Sequence, residues 1–329
     1  MTNKTGVLLI NLGTPDAATY SAVYKYLREF MSDPRVIERR GLIWWTLLNF
    51  VILPRRTVKS SRAYGLIWDR ETDESPLRRI TRAQARALSA EFSDTPEILV
   101  DWAMRYGTPS IESGITRLVG EGCDRVLLFP LYPQYSAATT ATAMDKAGQA
   151  LAALRHQPSI RTVPPYYAHP TYISALAASI AAHQKTLNWT PQRVVLSFHG
   201  LPQAFIDSGD PYQDQCEQTA ALLRDAHGMS AKEMPLVYQS RGGRAVWTGP
   251  ELEQTLIDLA HNGIKDLCVI TPGFSADCIE TLEEVQMRAA TTFTEHGGRN
   301  FAFIPCLNDS PGSITMLTHI ARQHLSGWH

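Results

Sequence analysis

The sequence is short of several features that would fix a protein's class at once. It has no positive surplus: 31 Lys and Arg stand against 32 Asp and Glu, a formal net charge of -1. Nucleic-acid binders draw affinity from neutralising phosphates, so no nucleic-acid partner is expected. Five cysteines (Cys123, Cys216, Cys268, Cys278 and Cys306) are odd in number, scattered and without a C-x-x-C pair. That speaks against a disulfide framework, a zinc ribbon and an iron–sulfur cluster. No GxGxxG or Walker loop stands at a strand end, which removes the main support for dinucleotide or nucleoside triphosphate binding. No apolar run reaches the ~20 residues of a spanning helix. The first four residues pass directly into a strand-like run, leaving no room for a signal peptide, so a cytoplasmic protein is expected.

What is present is a globular composition, 44% hydrophobic and 19% charged over 329 residues, with ample core for one large domain or two ordinary ones. Short aliphatic runs at 6–11, 97–102, 125–129, 193–198, 267–271 and 301–305 alternate with helical stretches. The helical candidates are 21–31, 81–93, 109–121, 170–187, 214–226, 249–262, 277–291 and 313–325. Runs apolar on both faces read as parallel strands joined by crossover helices, so the class is α/β.

An internal echo divides the chain. Leu8-Leu9-Ile10-Asn11-Leu12-Gly13-Thr14-Pro15 resembles Val195-Leu196-Ser197-Phe198-His199-Gly200-Leu201-Pro202, and residues 122–130 resemble 263–272. Two similar lobes with parallel sheets follow, 1–160 and 161–329, with a cleft between them and the last helix packing back on the first lobe. Pro15 and Pro130 are about 115 residues apart, whereas Pro202 and Pro272 are about 70 apart. The surplus of about 45 matches an insertion at about 31–76 in the first lobe. It contains the apolar segment 41–54, with Trp44 and Trp45, flanked by Arg39, Arg40, Arg55, Arg56 and Lys59. Such a segment suits either a membrane interface or a buried helix at the rim of an apolar pocket.

Ligands of open parallel sheets bind beyond the carboxyl ends of the strands. Of ten histidines, His199 alone sits at a strand end inside a Gly/Pro loop, where a neutral imidazole can bind metal or take a proton. Glu280 opens a helix after the strand-end loop 271–276. At about 100° per residue, Asp277, Glu280 and Glu284 share one face, opposite Cys278, Ile279, Leu282 and Val285. Asp277 and Glu280 also have the spacing of a capping box, which accounts for Glu280 without chemistry but not for Glu284. A row of carboxylates suits the inward passage of a cation. Tyr132, Tyr135 and Ser136 follow the strand 125–129 and could wall a flat ligand or simply pack. Arg105 could meet an anionic substituent.

The stretch from Leu196 to Pro202, followed by Gly209-Asp210-Pro211-Tyr212, resembles the defining motif of ferrochelatases. Blocks at 11–16, 30–35, 103–107, 132–136, 238–241 and 273–284 resemble further family blocks in family order, over nearly the whole chain. The resemblance implies two Rossmann-like, chelatase-like lobes around a porphyrin cleft and an apolar lip matching the Trp-rich insertion. It implies insertion of Fe(II), as substrate, into protoporphyrin IX, with no tightly bound cofactor. Carried over by position, His199 and Glu280 are its metal-binding or proton-accepting groups and Glu284 a second acid. Arg105, Tyr132, Tyr135, Ser136, Leu12 and Trp247 are its substrate-binding candidates. A cytoplasmic enzyme with peripheral membrane contact through 41–54 would fit. Chelation of coproporphyrin or sirohydrochlorin, or a porphyrin carrier, are the alternatives. Three departures stand out. Cys278 replaces a histidine of animal members and is read as packing. Gly242 stands where an aromatic residue is usual. No cysteine-rich extension follows His329, so the cluster of some relatives is not expected.

Overall fold

A computed structural model describes residues 4–38, 41–243 and 245–328. Arg39 and Arg40 of the basic flank, and His329, lie outside the described residues. The chain divides into two units: Met1–Tyr132 with Ser136–Pro164 and Leu317–His329, and Pro133–Tyr135 with Pro165–Met316. The second boundary falls inside the last helix, Pro311–Leu325.

The first unit holds a parallel sheet of β1 (Lys4–Gly13), β2 (Ile98–Tyr106), β3 (Cys123–Pro130) and β4 (Ser159–Thr162), in the order β2-β1-β3-β4. The second holds β5 (Arg193–His199), β6 (Leu236–Gln239), β7 (Asp266–Ile270) and β8 (Asn300–Ile304), in the matching order β6-β5-β7-β8. The strands that echo one another in sequence therefore hold equivalent places, β1 with β5 and β3 with β7. These central strands are covered on both faces, and Val7–Ile10 and Val194–Leu196 are wholly buried. Hence they appear in the sequence as unbroken aliphatic runs.

Helices begin where the sequence supplies an acceptor for exposed N–H groups. The Ser75 hydroxyl accepts from Arg78 N–H at 3.2 Å, ahead of Pro76 at the first helical position, and Ser110 accepts from Ser113 N–H at 3.2 Å. The turn after β1 needs Gly13: its φ is 114°, and a Cβ there would collide with the Tyr106 carbonyl oxygen.

The apolar insertion is helical over Leu42–Ile67, with a wider i→i+5 winding at Leu48–Ile52. Leu48 and Leu53 are buried against Met31, with Trp44 and Ile52 packed around them. Leu42, Ile43, Trp45, Phe50 and Leu66 remain exposed, Ile43 at 87%. The segment is thus neither a fully buried helix nor free of the core: one side is anchored and the other is an apolar patch facing solvent. Among the described residues no helix is long and apolar enough to cross a membrane.

Candidate active site

In the second unit, β5 ends at His199 and β7, its neighbour, leads through residues 271–279 to the helix Glu280–Ala289. This helix is wound with i→i+5 hydrogen bonds, a rare geometry found disproportionately at functional sites. Val285 and Ala289 anchor it in a core shared with Val195, Val237, Leu267 and Phe293. Burying the Val285 side chain contributes about 1.5–3 kcal/mol. Glu280, Glu283 and Glu284 are left half-buried away from that core.

Three groups surround the end of β5. The His199 ring meets Phe274 edge-on, with centroids 6.3 Å apart. Gly200 donates its N–H to the Gln239 carbonyl at 2.8 Å. A Cβ on Gly200 would lie 2.9 Å from that oxygen and 3.5 Å from the Trp247 ring, so the turn admits only glycine without a shift. Trp247 donates its indole N–H to the Gly242 carbonyl at 2.8 Å. It packs beneath the His199 loop at the residue where an aromatic wall was expected to be loosened.

His199 and Glu280 feel each other's charge, although no direct ion pair joins them among the described residues. Burial holds the imidazole below its ordinary pKa, with Glu280 pulling the other way, so at neutral pH the ring is a neutral base. Burial raises the Glu280 carboxyl, opposed by His199, by the Cys278 thiol and by its own backbone N–H. Burial likewise raises Glu284, opposed by the Ser240 hydroxyl and by Arg288. Glu284 accepts from Ser240 Oγ on one oxygen and from Arg288 Nη2, at 3.0 Å, on the other. The Glu284 carboxylate opposes ionisation of Glu280, so the two are electrostatic neighbours. Among the described residues no three His, Cys, Asp or Glu side chains gather as a set able to hold a metal.

Asp277 does not join the row. Its carboxylate accepts from Asn308 Nδ2 at 2.7 Å, Thr281 Oγ1 at 3.0 Å and Cys306 N–H at 3.2 Å, fastening the start of the helix to the loop after β8. The Asp277 N–H that a capping box would offer to Glu280 donates instead to Asn308 Oδ1, at 2.8 Å, and Thr281 Oγ1 accepts from the Cys278 N–H, at 3.0 Å. Glu280 is therefore not engaged as a capping-box acid. Cys278 is buried, as the packing reading required.

Each of the other candidates makes its contacts within its own unit. Arg105 is buried and ion-paired with Asp33, with Nε donating to Thr142 Oγ1 at 2.7 Å and the guanidinium 4.2 Å from the Tyr106 ring centroid. Only its Nη1 lacks a hydrogen-bond partner. Tyr132 is buried in the first unit's core, its hydroxyl unpaired, and Leu12 packs against the same core. Ser136 is buried and caps a helix by accepting from Ala138 N–H at 3.2 Å. Tyr135 is half-buried, its N–H donating to Gln215 Oε1 at 2.7 Å. A surface hollow of about 540 Å³ beside Pro34, Arg35, Glu38 and Asp145 contains none of the candidates.

The family profile described as Ferrochelatase matches residues 4–325. The ferrochelatase of Mesorhizobium japonicum is 51% identical over 325 residues, spanning 99% of this chain and 92% of its own. The chain belongs to the ferrochelatase family. The ferrochelatase of Rhizobium meliloti is 50% identical over 99% of this chain and 96% of its own. Among solved structures, SirB from Bacillus subtilis with Fe3+ aligns at a TM-score of 0.58 and 12% identity over 99% of this chain and 97% of its own. CbiX, the terminal enzyme of sirohaem biosynthesis in denitrifying bacteria, aligns at 0.54 and 16% over 98% and 100%. At those identities the likeness is one of fold: the two-lobed α/β architecture of the chelatases.

Sequence reasoning did not single out Gln239 and Ser240 at the end of β6. Gln239 stands opposite His199 in register and donates to the Glu280 carbonyl at 2.8 Å, and Ser240 holds Glu284. Their signal was the block 238–241, read as a family mark because no strand was assigned there.

Proposed function

We propose that this protein inserts Fe(II) into protoporphyrin IX, releasing two protons and giving protohaem, the last step of haem synthesis. In class it is a lyase forming metal–nitrogen bonds. The observation that supports the reading best is that His199, ending β5, and Glu280, opening the helix that follows the adjacent β7, feel each other's charge, in a chain of this family. Each of two pyrrole N–H groups gives up a proton as a nitrogen–iron bond forms, so the dication's charge is balanced by two protons lost. A neutral imidazole is suited to accept one of them. Glu280 and Glu284 are suited to replace waters on Fe(II), a borderline cation that accepts carboxylate and imidazole alike, or to carry protons away. The raised carboxyls release a proton more readily once a cation is near, which couples metal arrival to proton departure.

The exposed patch of Leu42, Ile43, Trp45 and Phe50, followed by exposed Arg55, Arg56 and Lys59, is the proposed lip. Its apolar face would dip into a membrane interface while its cations meet anionic headgroups, giving a cytoplasmic enzyme that receives an apolar substrate at the bilayer.

The test is anaerobic mixing with Fe(II) and each of protoporphyrin, coproporphyrin and sirohydrochlorin, following the absorbance change on metallation. Fastest turnover is expected with protoporphyrin. Preference for another tetrapyrrole would replace the substrate, and binding without metallation would make the protein a carrier. His199→Ala should lose about 100-fold or more in turnover, within the range of general-base removal. Full activity in that variant would place the base elsewhere.

A further inference from the structure

We infer that Gln239 and Ser240 are positioning residues that set the carboxylate row of the i→i+5 helix against His199. The inference rests on the metal-insertion reading above and goes beyond it, since it names what holds the two halves of the site in register.

The argument starts from pairing. In the parallel ladder of β5 and β6, Gln239 is the partner of His199, and its carbonyl accepts the N–H of Gly200 at 2.8 Å. The backbone of β6 therefore fixes the turn that carries the imidazole. The Gln239 side chain, 3% exposed, then spans to the opposing element. Its Nε2 donates to the Glu280 carbonyl at 2.8 Å, and its Oε1 accepts from Ser197 Oγ at 2.7 Å. The direction of the amide is set by chemistry. A carbonyl accepts only, so the NH2 must face Glu280 and the oxygen must face the serine hydroxyl. One buried side chain thus ties the first residue of the helix to the strand of His199, two residues before it. Buried amides left half-satisfied are costly, so this link has one stable arrangement.

Ser240 continues the grip one helical step further. Its hydroxyl donates to Glu284, whose other oxygen is held by Arg288. Ser240 adopts φ 65°, a left-handed conformation that a non-glycine residue enters only at a cost. Glycine would adopt it freely, yet it has no hydroxyl. A strained serine at this point is explained by the contact that its side chain makes with the acid.

The test uses substitutions at 240 that separate the hydroxyl from the strain. Ser240→Gly loses the hydroxyl and relieves the backbone; Ser240→Thr keeps the hydroxyl and adds a β-branch at positive φ. In the full chain, Ser240→Gly should melt at or above the wild-type temperature. Its KM for Fe(II) should rise about tenfold, the size of one hydrogen bond to a charged group, with the KM for protoporphyrin unchanged. Ser240→Thr should melt lower and keep a KM for Fe(II) close to wild type. Gln239→Leu should lower kcat about tenfold or more with little change in porphyrin KM. Overturning results are a Ser240→Gly protein with unchanged or lower KM for Fe(II), or activity that merely follows melting temperature across the set. Should wild type metallate no tetrapyrrole, the insertion reading falls. The positioning inference is then judged by calorimetric titration with Co(II) alone, where Ser240→Gly should bind about tenfold more weakly than wild type. Equal affinities, or no binding by wild type, overturn it.

Discussion

Replacing Arg105 by alanine decides whether this arginine serves the fold or a ligand. Its guanidinium and the Asp33 carboxylate form a buried pair, with side chains 7% and 3% exposed. Removing one partner of such a pair strands the other charge, a loss of about 3–5 kcal/mol. Asp33 keeps three other donors: the Tyr106 hydroxyl at 2.7 Å, the Thr142 hydroxyl, and the Arg35 N–H at 2.8 Å. The stranded carboxylate therefore remains partly solvated by the protein, and the loss belongs at the lower end, about 3 kcal/mol. At roughly 2–4 °C per kcal/mol for a unit of 150–250 residues, the melting temperature should fall by about 6–12 °C at pH 7. The pH dependence has a definite sign. Burial alone would raise the Asp33 carboxyl, but Thr142, Tyr106, the Arg35 N–H and Arg105 together hold it below the ordinary value. An acid depressed in the folded state contributes stability above its unfolded pKa and loses it as pH falls through the folded one. The gap between wild type and Arg105→Ala should thus be widest near neutrality and narrow in acid. Calorimetric melts at pH 7 and at pH 3 to 4 measure it. An unchanged melting temperature with a raised KM for porphyrin would refute the structural role and return the guanidinium, through its unpaired Nη1, to substrate binding.

Two further outcomes follow from the site and the lip. Glu280→Gln should abolish most metallation yet melt at or above the wild-type temperature at neutral pH, because burial raises the Glu280 carboxyl. A raised acid loses folded-state stability as pH climbs from its unfolded value through its folded one, so the gain should vanish near pH 4; a variant less stable at pH 7 would contradict it. Ile43→Lys with Phe50→Lys should leave the melt within a few degrees, both side chains being exposed, and weaken sedimentation with vesicles containing anionic lipid. Undiminished binding to those vesicles would remove the lip from the membrane contact.

The strands that read most plainly from residues are those buried on two sides, although the edge strands β2 and β8 were also read, at 97–102 and 301–305. β1, β3, β5 and β7 run through the middle of their sheets and must be aliphatic throughout, so composition alone exposes them. β4 and β6 were missed because they are short as well as peripheral. Each is four residues long and lies at the edge of its sheet, and Ser159 and Thr162 at the ends of β4 are exposed. The helix at Thr142–Ala152 was missed because its Ala- and Thr-rich sequence shows little contrast between faces. The winding of Glu280–Ala289 was out of reach altogether. Whether a carbonyl is met by the fourth or the fifth following N–H depends on packing and on outside partners, such as the Gln239 amide on the Glu280 carbonyl, and not on a pattern of residue types.

That difference between central and edge strands also explains which half of the site was legible. His199 could be found because it terminates a central strand, where a polar residue ending an apolar run is conspicuous. Glu280 could be found because a second central strand delivers it, and its ambiguity between cap and chemistry was real: the spacing cannot say that Asn308 takes the Asp277 N–H. Gln239 and Ser240 belong to an edge strand too short to announce itself, yet an edge strand is where such residues are placed to most effect. β6 has one strand neighbour, β5, with only an isolated bridge from Tyr238 to Glu251 on its other side, and the residues at its end reach the helix that follows β7. Central strands thus lead to the proposed reacting groups, and the edge strand beside them supplies the side chains that bond the helix of Glu280 and Glu284. On the proposed function, a metal ion would pass between an imidazole and a row of acids, and the residues proposed to hold their separation sit where sequence periodicity is weakest.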